Sequence, residues 1–156
     1  MELPQPLAKL DLPRIDQVGY VVRDLAAAVA RYEPLFGPFT RLDTPLTGVW
    51  YRGIPTDVHL SIAFGHTGDI EIEFIQPLSG ASPHTEFLAA GREGIHHVRY
   101  RVPDANATIA ALGTVGFDLP VGYARRVECL GISHEWKFSR GGDCRGHFCG
   151  FSMDKR

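Results

Sequence analysis

Apolar residues fall mostly at every second position along the chain, interrupted by three short stretches with helical spacing. Residues 15 to 22, IDQVGYVV, alternate and are β-branched, which predicts a strand. Asp24 stands as an N-cap before the Ala-rich LAAAVARYEPLFG, a helix expected to end near Gly37, with Pro34 in its last turn. VWYRG and DVHLSIAF read as extended, GHTGD as a turn, and DIEIEFIQP as an alternating strand closed by Pro77. Ser82 followed by Pro83 opens a short helix over SPHTEFLAAG. The pattern then restarts. GIHHVRYRV is a strand, Asp104 caps ANATIAALG, and FDLPVGY, SHEWKFS and GHFCGFSM are further extended segments.

The restart is a repeat. IDQVGYVVRDLAAAVA and IHHVRYRVPDANATIA share Ile, Val, Tyr, Val and Asp at matching places, offset by 80 residues. The fold class expected is therefore α+β, two repeated β-α-β-β-β modules forming a curved mixed sheet around a cup. The boundaries are an arm at 1–14, a first module at 15–78, a connecting helix and loop at 79–94, and a second module at 95–156. Together they make one domain.

Strand parity sorts the side chains. Val18, Tyr20 and Val22 share a face, as do Val98, Tyr100 and Val102, and that apolar face is expected against the helices. Gln17 is then in register with His97 on the opposite face, and Asp16 matches His96. Ile70, Ile72 and Phe74 are assigned to the helix side, leaving Glu71 and Glu73 in the cup. Val58, Leu60, Ile62 and Phe64 are assigned to the helix side too, leaving His59 and Ser61 in the cup. A sheet face rich in Gln, His and Glu suits a ligand better than a packing partner.

Composition narrows the classes. The net charge of −2 argues against a nucleic-acid partner, since such proteins carry a basic stripe. No apolar run approaches the roughly 20 residues of a membrane helix, and MELPQPLAKLDLPR lacks the apolar segment of a secretion signal. Cys129, Cys144 and Cys149 are an odd number near one end, so free thiols and a cytoplasmic location are expected rather than a disulfide framework.

The stretch IEFIQPLSGASPHTEFLAAGREGIHHVRYRVPD, with its Pro-Leu strand end, Ser-Pro helix and Gly-Ile-His-His, resembles the central region of methylmalonyl-CoA epimerases. The paired modules resemble the wider vicinal oxygen chelate superfamily of glyoxalases, bleomycin-resistance proteins and dioxygenases. The resemblance implies a divalent metal (Zn, Ni, Co or Mn) held by one side chain from the first and last strand of each module. It maps onto Gln17, Glu73 and His97. The fourth position, a Glu in that family, falls on Gly150 here, and His147 is the alternative donor. A proton-moving residue on the adjacent strand maps onto His59, with Glu71 as the other candidate. Imidazole and carboxylate donors on one face suit such an ion, and open positions on it would polarise a carbonyl.

The function implied is a metal-dependent isomerase, epimerase or lyase acting on a small carbonyl-bearing acid or thioester through an enolate-like intermediate. The partner is a small-molecule substrate, and a homodimer is expected. The alternative is a metal-free protein that binds or cyclises a small molecule in the same cup. A third reading is an extradiol-type dioxygenase, with Gln17 at one of its histidine positions. Arg99 and Arg101 have two readings: anion recognition, or neutralisation of Glu71 and Glu73.

Overall fold

The computed structural model describes residues 10–114 and the strand at 145–152. In chain order the elements are β1 (Ile15–Val21), α1 (Leu25–Phe36), β2 (Thr40–Tyr51), β3 (Ile54–Thr67) and β4 (Ile70–Ser79). They continue as α2 (Pro83–Ala89), β5 (Gly94–Asp104), α3 (Ala105–Gly113) and β6 (Arg145–Ser152). The first five reproduce the expected β-α-β-β-β order. Of the second set, β5, α3 and β6 are described. The segments FDLPVGY and SHEWKFS, with Cys129 and Cys144, lie outside the described residues.

Each helix starts where its cap dictates. The Asp24 carboxylate accepts from the Ala27 backbone N–H, and Asp104 does the same for Ala107. Ser82 and Thr85 exchange hydrogen bonds in a reciprocal capping box with Pro83 in the first turn. These are local devices, which is why the sequence exposes them.

The six strands form one mixed sheet in the order β2-β3-β4-β1-β5-β6, with β1 parallel to β4 and all other pairs antiparallel. The repeat-related strands β1 and β5 are neighbours, and their equivalent residues Val18 and Val98 pair with each other. On the helix side, Leu25 and Val29 of α1 pack on Val22, Ala63, Ile72 and Phe74. Phe74 is 1% exposed and receives the rings of Tyr20, Tyr32 and Phe39 at centroid distances of 5.5, 5.5 and 5.2 Å.

The opposite face, here called the cup face, corrects one expectation. Val58, Leu60, Ile62 and Phe64 do not pack against the helix. They cluster with Leu46, Val49 and Ile75. Ile62 pairs with Ile75 and Phe64 with Glu73, so this row lies on the Glu73 side of the sheet. His59 and Ser61 alternate with it and stand on the helix side with Ala63. The reason is that the cup face has its own apolar cluster, while the helix-side row of β3 is built of His59, Ser61, Ala63 and Gly65, of which Ala63 joins the helix core.

The β1–β5 ladder carries two register shifts, one at each end. Between the pairs Ile15–Tyr100 and Gln17–Arg99, Asp16 is an extra residue on β1. Between Gly19–His97 and Tyr20–Ile95, His96 is an extra residue on β5. Asp16 and His96 are equivalent positions of the repeat, so the bulge is duplicated with the module. A bulge bends its strand and re-aims the side chains around it. Simple alternation fails at both places for that reason.

Candidate active site

The cup face of β1, β4 and β5 gathers the polar residues. The Gln17 side-chain N–H donates to Glu71 Oε1 at 2.7 Å. Arg99 reaches the same Glu71 oxygen at 3.3 Å and Asp16 Oδ1 at 2.8 Å, and Arg101 pairs with the other Asp16 oxygen. The bulge is what brings Asp16 into this chain of charges. Gln17 is 5% and Arg99 8% exposed, so the buried guanidinium is matched by two carboxylates, as a buried charge requires. Glu71 Oε2 lies 3.9 Å from His66, which is itself exposed.

A second group adjoins it. His97 Nε2 lies 3.3 Å from Glu73 Oε2, with both side chains largely buried. The His97 ring covers Gly19, whose pairing partners are His97 on β5 and Glu73 on β4. A side chain at position 19 would overlap that ring, so the contact depends on glycine. On its other side, His97 Nδ1 is 3.2 Å from His96 Nδ1. His96 packs between His84 and Phe87 of α2, at 4.9 and 5.1 Å between ring centroids. Burial pushes the His84 imidazole down to about 3, and the neighbouring His96 and His97 add to the shift.

The structure thus brings Glu73 and His97 together, and places Gln17 on the same face with its amide committed to Glu71. Gly150 pairs with Arg99 and supplies no donor. His147 pairs with Val102, whereas the β6 partner of His97 is Ser152. His59, opposite Pro45 and Ser79, is on the other side of the sheet from Glu73. Of the metal set implied by the resemblance, Glu73 and His97 converge and Gln17 shares their face, its side-chain N–H rather than its carbonyl oxygen bonded to Glu71. Sequence reasoning passed over Asp16, His84 and His96. The His-His doublet and the repeat match of Asp16 with His96 were the available signals.

The comparisons agree with this architecture. The family model described as Glyoxalase/Bleomycin resistance protein/Dioxygenase superfamily matches residues 16–132. Over 104 residues the chain is 28% identical to the mitochondrial methylmalonyl-CoA epimerase of Homo sapiens, covering 65% of this chain and 53% of that protein. Over 87 residues it is 25% identical to the uncharacterized protein YqjC of Bacillus subtilis (strain 168), covering 56% of each. The chain thus spans about half the length of the curated relatives it matches. Among solved structures, a Streptomyces coelicolor methylmalonyl-CoA epimerase is similar at a TM-score of 0.49 and 24% identity, over 69% of this chain and 73% of that one. With its match running from the first strand of the sheet past α3, the chain belongs to the glyoxalase/bleomycin resistance protein/dioxygenase superfamily.

Proposed function

We propose that this chain is an isomerase of the epimerase type, moving a proton at the carbon beside the carbonyl of a small acid or thioester. The observation that carries the proposal is the arrangement of Glu71. Its Oε1 is held by Gln17 and Arg99, while its Oε2 lies 3.9 Å from the exposed His66. A carboxylate oriented through one oxygen presents the other at a defined angle, which is what a general base needs. Of the two candidate bases, His59 and Glu71, it is Glu71 that shares the cup face with Glu73, and its side chain is partly open to solvent.

Arg99 supplies fixed positive charge beside that base. When Glu71 takes up the proton its negative charge is lost, and the Arg99 guanidinium paired with it is left to face the charge gathering on the substrate's carbonyl oxygen. A divalent ion would supply the same polarisation when bound, and no step is assigned to it. The relative named methylmalonyl-CoA epimerase makes branched acyl-CoA thioesters the first substrates to try.

The test is inversion of a single stereoisomer of methylmalonyl-CoA and related thioesters, followed by chiral separation. Glu71→Gln is expected to lower kcat by about 10²–10⁴-fold with KM little changed. Equal activity of the variant contradicts the assignment. One feature favours a binding protein as second reading: Leu46, Val58, Leu60, Ile62, Phe64 and Ile75 make the rest of the cup face apolar. That reading predicts thermal stabilisation by apolar ligands, each recovered unchanged.

A further inference from the structure

We propose that His84, His96 and His97 form a binding site for a transition-metal ion, zinc or a close relative, distinct from the ligand set the superfamily implies. One ring nitrogen from each lies within 4.8 Å of the others. The closest pair, the Nδ1 atoms of His96 and His97, are 3.2 Å apart. Two imidazole nitrogens on a tetrahedral zinc ion are separated by about 3.3 Å, the edge set by Zn–N bonds of roughly 2.0–2.1 Å. Two Nδ1 lone pairs at this distance require something positive between them, a proton or a metal ion.

Two further observations point to the metal. His84 Nδ1 is shut off from solvent and has no hydrogen-bond partner among the described residues. Buried polar atoms in folded proteins are almost always satisfied, and a missing ion is one of the few explanations for an exception. Second, the carboxylate of Glu73 stands at the far nitrogen of His97. A carboxylate there holds the proton on Nε2 and turns Nδ1 into the donor, the common outer partner of metal-bound histidine. In this arrangement Glu73 orients His97 and does not itself touch the ion.

The elements explain why three histidines from separate places can meet. The bulge at His96 turns its ring toward that of His97, while Phe87 packs against its edge. The Ser82–Thr85 capping box fixes the first turn of α2, which carries His84. All three donors are imidazoles, which suits zinc, copper, nickel or cobalt rather than magnesium or calcium. Three protein ligands leave a coordination position for water or a small molecule. The inference does not depend on the proposed isomerisation.

The test is titration of the chelator-treated, tag-free protein with Co²⁺ and Zn²⁺. Tetrahedral Co²⁺ reports its geometry through visible absorption, and Zn²⁺ affinity follows by competition with a chromophoric chelator. The site predicts one ion per chain with tetrahedral Co²⁺ absorption. His84→Asn and His96→Asn are each expected to weaken Zn²⁺ binding by at least about 100-fold, and Glu73→Gln by about 10–100-fold. Gln17→Ala should leave it unchanged, and circular dichroism identifies any variant that fails to fold. Full Zn²⁺ affinity in folded His84→Asn and His96→Asn overturns the proposal, as does loss of binding in Gln17→Ala. Absence of stoichiometric binding by the folded wild-type protein overturns it as well. Thioester inversion measured on the same samples stands or falls separately.

Discussion

The imidazole of His97 occupies the space above Gly19 that any other residue would fill with its side chain. This contact joins β1 to β5 at the point where Glu73 and His96 reach the same ring. Gly19→Ala is therefore expected to displace His97, with a stability loss of about 1–3 kcal/mol from overpacking. Denaturant unfolding checks the stability term. Zn²⁺ affinity should fall at least tenfold in protein that is still folded, and full affinity would show that the ring position is unimportant.

Charge pairs in this sheet should differ sharply in worth. Arg99 is buried and its pairing with Asp16 and Glu71 replaces the water it gave up. Removing one partner in Asp16→Ala is expected to cost about 2–4 kcal/mol, because a buried cation loses one of its carboxylates. Arg14 and Asp69, 3.7 Å apart and both almost fully exposed, provide the control. Arg14→Ala should change stability by less than about 0.5 kcal/mol. Urea unfolding of the two variants measures the contrast.

Acid should weaken the metal-free protein through His84. In the unfolded chain this imidazole takes up a proton near pH 6.5, while burial in the folded state lowers its value to about 3. Between those limits the unfolded state binds the extra proton. Stability contributed by keeping His84 neutral is therefore complete above pH 6.5 and is lost as pH falls toward 3. The limiting slope is about 1.4 kcal/mol per pH unit. Unfolding midpoints measured with chelator present should decline more steeply from pH 7 to 5 in the wild type than in His84→Leu. Parallel declines would contradict the burial of this ring.

The aromatic cluster on the helix side is centred on Phe74. Phe74 contacts three rings and is almost fully enclosed. Phe74→Ala is expected to destabilise by about 3–5 kcal/mol, read from equilibrium unfolding. A smaller Phe74→Leu loss would confirm that packing, not backbone disruption, is responsible.

What could be read from the sequence divides along physical lines. Asp24, Ser82 and Asp104 were identifiable as caps because capping involves residues three apart, and the structure has all three in that role. The duplicated Ile-Val-Tyr-Val-Asp pattern identified β1 and β5, and their placement of Gln17 and His97 on one face follows from alternation. Alternation holds along β3, but its apolar row packs in the cup with Leu46 and Ile75 instead of against a helix, so Val58, Leu60 and His59 lie on the sides opposite to those expected. It fails at Asp16 and His96, where an extra residue enters the ladder without any mark in composition. His84 was invisible as a site residue because its neighbours come from α2 folding back onto β5.

The central claim is proton transfer at carbon, and isotope exchange reads it directly. Methylmalonyl-CoA and a panel of 2-substituted acyl thioesters would be incubated with the wild-type protein in D₂O and analysed by mass spectrometry. The account predicts gain of one deuterium at the carbon beside the carbonyl of at least one thioester, suppressed in Glu71→Gln. Recovery of every thioester without deuterium from folded wild-type protein would contradict it and leave the cup as a binding pocket.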